Sequence, residues 1–338
     1  LFLNEMALDV DYVPPIIRYR ENQQQYIATC IKPLLQNRNG KNLFITGKPG
    51  IGKTVAIKHL LDELNKETDE IKTIYINCWK KDTGFKIVNE ICEILGYKWV
   101  HNKGTDELLK EITGILNKKA AVIVLDEVDK LNEPEILYNL VEDVNKKSIL
   151  IITNEEDFLI DLDSRIRSRL MAETLKFNPY NKEETKGILK QRISYAFSEN
   201  VLQDDAFNLI VDKTCELEDI RSGLFLMKEA GLIAESESSK RILLKHAQKA
   251  KEKLRDFKIK KSSDLDDEEK AILNLIKENS GKSITELYKV YSKNNDKTYR
   301  TFLRKIRNLE KNKLISTMEE SGKRAILVNY SMKKLNEF

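Results

Sequence analysis

The residues best suited to chemistry are the eight of GKPGIGKT at 47–54. Gly47, Gly52, Lys53 and Thr54 stand at the spacing of a loop whose backbone N–H groups cradle phosphates. NLFIT before the loop reads as a strand, and VAIKHLLDEL after it as a helix. Glycines let such a loop curl until its amides face an anion, and the helix start adds positive potential. Lys53 then supplies a charge for the terminal phosphates of ATP or ADP, and Thr54 a hydroxyl for Mg2+. Further along, AVIVLDEVDK at 121–130 reads as a buried strand ending in Asp126 and Glu127. Two carboxylates at the end of a hydrophobic strand in an α/β sheet reach the same edge as the loop. Asp126 is expected to hold Mg2+, directly or through water, and Glu127 to polarise an attacking water. The plainer alternative is a solvated turn after a core strand. SILIITN at 148–154 ends in Asn154, an amide able to orient that water or touch the γ-phosphate, although Asn is also an ordinary turn residue.

These groups need a sheet to bring them together. Runs at 43–47, 73–78, 121–126 and 149–154 are short, rich in Ile and Val, and separated by amphipathic stretches of helix length. That rhythm is βαβ and predicts an α/β fold with a parallel sheet covered on both faces. From about Pro179 the pattern turns helical, at 183–195, 204–215 and 220–234. A basic run at 240–261 follows, and KSSDLDDEE after it reads as a linker into a further domain. The expected divisions are a nucleotide-binding domain at 1–175, a helical lid at 176–250, a basic linker at 251–264 and a C-terminal domain at 265–338.

Composition narrows the class. A chain of 338 residues is long for one compact core. With 41% hydrophobic and 33% charged residues, the disordered and collagen-like classes are excluded. The longest apolar runs, 120–125 and 149–152, fall far below the ~20 residues of a membrane helix, and no secretory leader is recognised. The expectation is a cytoplasmic protein with no membrane partner. Cys30, Cys78, Cys92 and Cys215 are scattered without ligand spacing and read as free thiols. Net charge is only +4, but 240–261 carries ten Lys or Arg against two acids and 289–313 nine against two. The positive charge therefore sits in the C-terminal third.

Within 265–330 the pattern reads helix, helix, helix and hairpin. Tyr299, Phe302, Leu303, Ile306 and Leu309 recur at helical spacing and face a core. Arg300, Arg304, Arg307 and Lys311 step by four, three and four residues along the opposite stripe. LISTMEE and RAILVNY alternate as two strands around ESGKR, with Gly322 at the bend. A helix-turn-helix followed by a basic hairpin is a winged helix, whose recognition helix enters a major groove. The candidates for duplex DNA contact are Thr298, Arg300, Thr301, Arg304, Lys305, Arg307, Lys323 and Arg324. Thr298, Thr301 and the arginines near the helix start are the candidates for base edges. Solvated lysine-rich faces and protein-binding winged helices are the competing readings.

The loop-bearing strand, LDEVDK, the strand ending in Asn154 and the helical stretch EDIRSGLFLMKEAG at 218–231 together resemble an AAA+ ATPase. DYVPPIIRYRENQ at 11–23, INCWKKDTGFKIVNEICEILG at 76–96, DSRIRSRL at 163–170 and KFNPYNKEETKGILKQR at 176–192 narrow the resemblance to the initiator clade, the archaeal origin-recognition proteins of the ORC and CDC type. It implies a five-stranded parallel P-loop sheet with a helical lid. It also implies nucleotide contacts from Val13, Pro14, Arg20, Pro49, Gly50, Ile51, Gly52, Val55, Tyr180 and Ile188, in addition to Lys53, Thr54 and Asp126. Arg221 matches the lid arginine that reaches the phosphates. Arg169 or Arg165 matches the arginine finger acting on a neighbour's ATP, with Arg169 preferred for its Ser-Arg pair. One departure stands out: Glu218 occupies the position of a usual glycine before Asp219, and the loss of that glycine is expected to alter the entry into the lid helix. The function implied is a nucleoid-associated replication initiator and weak ATPase. It would bind origin duplex DNA in an ATP-dependent way, partly through an insertion in the ATPase domain, use slow hydrolysis as a conformational switch, and work with a paralogous subunit and a replicative helicase. The alternatives are a winged-helix transcription regulator holding nucleotide as a static cofactor, and a signalling or defence ATPase. The IIRYRENQ start together with the EDIR lid disfavours the second of these.

Overall fold

The Ile- and Val-rich runs form five parallel strands in the computed structural model: β1 (Leu43–Thr46), β2 (Ile71–Asn77), β3 (Ala120–Asp126), β4 (Lys147–Thr153) and β5 (Glu173–Lys176). Their order across the sheet is β2-β3-β4-β1-β5. The structure describes residues 1–263, 267–279, 281–292, 299–311, 315–319 and 326–330. It divides into two compact units, Leu1–Leu254 and Arg255–Phe338.

Every residue of β3 is buried, because helices cover both faces of the sheet. Alternation along the strand sends Ile123 and Leu125 into one apolar layer with Ile87, Ile91, Ile149 and Ile151. Val122 and Val124 enter the opposite layer with Ile45, Ile57, Leu150 and Ile152. The helices of this layer system are α1 (Glu21–Ile31), α2 (Lys53–Glu67), α3 (Gly84–Ile94), α4 (Thr105–Leu116), α5 (Glu135–Asp143), α6 (Phe158–Asp161) and α7 (Ser164–Leu170). Parallel register sets Thr46 beside Thr153 and Asn77 beside Asp126. The carboxyl ends of four strands thus share one edge. The strand β5 is four residues of ETLK with half its positions exposed, so it lacks the apolar signal of the other four.

Four helices follow: α8 (Lys182–Ala196), α9 (Asp204–Leu217), α10 (Ile220–Ser236) and α11 (Leu244–Ser263). Asn181 and Glu184 close a capping box at the start of α8, and the Asp219 side chain caps α10 by accepting from Arg221 N–H. Ala247, Ala250 and Leu254 of α11 pack into the helical core. Residues 251–263, expected as a linker, continue this helix. Part of its basic run is neutralised locally: Lys245 and Lys249 pair with Glu237, and Lys253 with Glu229. The N-terminal segment belongs in space with these helices. Phe2 lies 4.8 Å from Phe197, and the Arg192 guanidinium donates to Ala7 O and Tyr12 O at 3.0 and 3.1 Å.

The second unit holds α12 (Asp267–Glu278), β6 (Lys282–Ser283), α13 (Ile284–Tyr291), α14 (Tyr299–Lys311), β7 (Ile315–Glu319) and β8 (Ile326–Tyr330). Its antiparallel sheet runs β6-β8-β7, so the expected hairpin gains a short third strand. Ile272, Ile276, Leu287, Phe302, Ile306 and Leu309 form its core. This is a winged helix. No helix among the described residues is long and apolar enough to cross a membrane.

Candidate functional site

Strand β1 runs into the loop at 47–52, which turns on glycines and enters α2. Gly50 and Gly52 have φ of 75° and 87°, in the left-handed region that side chains disfavour. A Cβ at Gly50 would lie 1.9 Å from the Asp219 carboxylate, and one at Gly52 2.6 Å from the Tyr180 hydroxyl. Backbone conformation favours glycine at both positions, and a side chain at either would have to displace its neighbour.

Lys53 points back into this loop. Its Nζ donates to Gly47 O at 2.7 Å, to Lys48 O at 2.8 Å and to Asn154 Oδ1 at 2.8 Å. Burial outweighs the attraction of Asp126 and pushes the ammonium down to about 8. Thr54 Oγ1 donates to Asp126 Oδ2 at 2.7 Å. The same oxygen accepts from the Tyr75 hydroxyl at 2.7 Å, while Oδ1 accepts from Glu127 N–H at 2.9 Å. Asp126 is therefore buried but well satisfied. Glu127 adopts φ 55° and ψ 42°, a conformation that costs a side-chain-bearing residue about 1–3 kcal/mol. Burial first, then the nearby Asp126 and Asp129, raise the Glu127 carboxyl above the usual carboxylate range, whereas a hydrogen bond from Asn77 opposes the rise.

Around these groups lies a cavity of about 500 Å³, within the range of small-molecule and cofactor sites. Of the residues expected at a nucleotide, Val13, Pro14, Pro49, Gly50, Gly52, Lys53, Thr54, Val55, Asp126, Glu127, Asn154, Tyr180, Ile188 and Arg221 line it. Arg20 and Ile51 do not. Ile51 is buried in the core behind the loop. Arg20 Nε and Nη2 donate to Ile51 O at 3.2 and 2.8 Å, Nη2 also reaches Asn178 O at 2.7 Å, and the guanidinium lies 3.8 Å from the Tyr180 ring centroid. Arg20 thus clamps the loop from the back. Arg165 and Arg169 sit on α7, paired with Asp163 and Glu142, and do not line the cavity.

The lid meets the loop directly. Ile220 N–H donates to Gly50 O at 3.1 Å, and Lys48 forms an ion pair with Glu218. Glu218 has φ 51°, so the departure noted in the sequence places a glutamate where the backbone favours glycine. Arg221 Nε and Nη2 hold the Asp219 carboxylate at 2.8–3.2 Å. Arg221 is also close enough to disfavour the Lys53 charge.

The donor set fits a nucleotide with a hard divalent cation. Loop amides and an ammonium suit phosphates, and the adjoining hydroxyl and carboxylate oxygens of Thr54 and Asp126 suit Mg2+. Among the residues that the sequence argument missed are Tyr75, Asn77 and Asp129. The period-2 pattern of TIYIN sets Thr73, Tyr75 and Asn77 on one face, and DEVD holds a third acid, so the signals were present. Asp129 is occupied by Thr153 Oγ1 at 2.7 Å and by Lys130.

In the winged helix, Phe302, Ile306 and Leu309 of α14 are buried, while Arg304 and Arg307 are exposed and Thr301 and Lys305 are half-buried. Arg300 lies in the first turn of α14. Tyr299, expected in the core, is 40% exposed and meets Tyr288 edge-on at 4.9 Å, because it begins the helix at the rim. Thr298, Lys323 and Arg324 lie outside the described residues.

Sheet order, glycine loop, acidic strand end and lid arginine define an AAA+ ATPase fold that binds nucleotide. The AAA domain family matches residues 36–160, and the Cdc6 AAA+ ATPase-type lid domain matches residues 186–252. ORC1-type DNA replication protein 1 of Archaeoglobus fulgidus is 33% identical over 87% of this chain and 76% of its own length. ORC1-type DNA replication protein 2 of Methanothermobacter thermautotrophicus is 28% identical over 94% and 88%. The Aeropyrum pernix ORC1 protein, solved in complex with DNA, superposes with a TM-score of 0.80 at 24% identity, covering 97% of this chain and 93% of that one. The Aeropyrum pernix ORC2 protein, solved as ADPNP-ADP complexes, gives 0.69 at 20% identity over 99% and 95%. The chain belongs to the family of ORC1-type DNA replication proteins.

Proposed function

We propose that the chain is a DNA replication initiator whose winged helix binds the duplex of a replication origin under the control of ATP. The observation that carries this reading is α14, with apolar residues buried on one side and Arg304 and Arg307 exposed on the other. Exposed guanidinium groups along one stripe repel each other unless an anion lies along them, and a DNA backbone supplies such a line of charge. The relatives named for DNA replication support it, and they do not favour a transcription regulator holding nucleotide as a static cofactor.

ATP or ADP would occupy the cavity, with Mg2+ held by Thr54 and Asp126 to neutralise charge on the phosphates. Lys53 would exchange its carbonyl partners for phosphate oxygens. Glu127 would accept a proton from a water oriented by Asn154, and Arg221 would leave Asp219 to report on the terminal phosphate from the lid. Arg169, or Arg165, would act on the site of a neighbouring subunit; neither lines this chain's own cavity. Turnover would be slow, with hydrolysis resetting a conformational state rather than driving continuous work. Association with a paralogous subunit and with a replicative helicase completes the proposed role.

Fluorescence anisotropy with origin and random duplexes, with and without ATP, tests the reading. The expected result is nanomolar to micromolar binding that weakens steeply with salt and tightens on the origin sequence. Absence of duplex binding at every salt concentration refutes it.

A further inference from the structure

Asp126 carries one more donor than a phosphate-site aspartate needs for its threonine partner. Its Oδ2 accepts from Thr54 Oγ1 and from the Tyr75 hydroxyl, each at 2.7 Å, and Oδ1 accepts from Glu127 N–H at 2.9 Å. Tyr75 reaches it because β2 and β3 are in parallel register with Asn77 beside Asp126, which sets the tyrosine two residues back on the cavity face. Its ring is held in turn by Lys58, whose Nζ lies 4.8 Å from the ring centroid. Both Tyr75 and Lys58 line the cavity.

A carboxylate oxygen offers two lone pairs. With Thr54 and Tyr75 on the same oxygen, the plane of the carboxylate is set from two sides. The Thr54 proton is committed to Asp126, which leaves the Thr54 oxygen's lone pairs available to a cation. Removing the tyrosine donor leaves Thr54 alone on Oδ2 and Glu127 N–H on Oδ1, so the carboxylate and its threonine partner are held less tightly.

We infer that Tyr75 is a positioning residue that fixes the Asp126 carboxylate, and through it the Thr54 hydroxyl, for a divalent cation delivered with the nucleotide. The inference rests on the assignment of Thr54 and Asp126 to Mg2+ made above. It concerns neither the loop amides nor Lys53, so nucleotide affinity without the metal is independent of Tyr75.

The test is Tyr75→Phe, which keeps the ring and deletes the hydroxyl. Affinity for a fluorescent ADP is measured in the full chain across a Mg2+ titration and in excess chelator, with melting of the unliganded protein as the control for folding. Loss of an outer partner of a metal ligand weakens metal binding by about tenfold or more. The Mg2+ concentration giving half of the affinity gain should therefore rise by about tenfold in Y75F, with affinity in chelator unchanged. An unchanged Mg2+ midpoint refutes the inference while leaving the metal assignment intact. A loss of affinity equal in chelator and in Mg2+ also refutes it, because it would make Tyr75 a support of the loop. If the wild-type affinity itself ignores Mg2+, the assignment of Thr54 and Asp126 falls and the inference falls with it.

Discussion

Lys53 offers a measurable link between the shape of the loop and pH. In the folded chain its ammonium is buried, bonded to two loop carbonyls and Asn154, and held down to about 8 from an ordinary 10.5. The difference amounts to about 3 kcal/mol by which the fold disfavours the charged form. Because the folded value lies below the unfolded one, the penalty is complete below pH 8 and fades as pH rises toward 10.5. Lys53 therefore makes the unliganded protein more stable at alkaline pH. Nucleotide binding has the opposite sign. Phosphates restore the charge, so binding above about pH 8 takes up a proton and weakens roughly tenfold per pH unit. Between pH 7.5 and 9.5 the ADP dissociation constant should rise by roughly 25-fold. Tyr75 will not blur this window, since burial and Asp126 push its hydroxyl well above its ordinary value. Calorimetry in buffers of different ionisation enthalpy should find about half a proton taken up at pH 8, and none in Lys53→Ala. An ADP affinity that stays flat from pH 7.5 to 9.5 would refute the argument that loop burial governs this lysine.

Three further changes probe other parts of the molecule. Glu127→Gln should keep ADP and ATP affinity but slow phosphate release by about a hundredfold or more, the size of a lost general base; an unchanged single-turnover rate would remove Glu127 from that role. Arg304→Ala and Arg307→Ala should each lower duplex affinity similarly for all sequences and reduce the salt slope by about one, read from anisotropy at several salt concentrations. Glu218→Gly removes a left-handed glutamate, which relieves about 1 kcal/mol or more, but it also adds chain entropy to the unfolded state and deletes the exposed pair with Lys48. Melting should therefore move little, while stopped-flow release of fluorescent ADP should quicken about two- to fivefold as the side-chain tie between loop and lid is lost and only the Ile220 N–H to Gly50 O bond remains; a release rate equal to wild type would mean that the pair does not hold the lid.

How much could be read before folding depended on the distance over which each feature is encoded. The phosphate loop is complete within eight consecutive residues, so its glycines, lysine and threonine were recognisable from spacing alone. The strands ending in Asp126 and Asn154 and the apolar stripe of α14 were equally local, since one period of two or 3.6 residues reports them. Strand β5 escaped notice because four mixed residues at a sheet edge carry no apolar period. The five-strand count came from resemblance rather than from pattern.

Arg20 and Tyr75 belong to the tertiary structure for a different reason. Arg20 bonds to a carbonyl 158 residues away, and Tyr75 to a carboxylate 51 residues away. No local period encodes such partners; sheet order and register create them. Glu218 stands out in the sequence only as a replacement of a usual glycine; folding is what sets its φ at 51° and brings Lys48 beside it. Sequence determined the groups of the phosphate loop, because those groups are neighbours along the chain. Folding decided which groups hold them in place, because backbone and side-chain hydrogen bonds form only between elements that packing has already brought within about 3 Å.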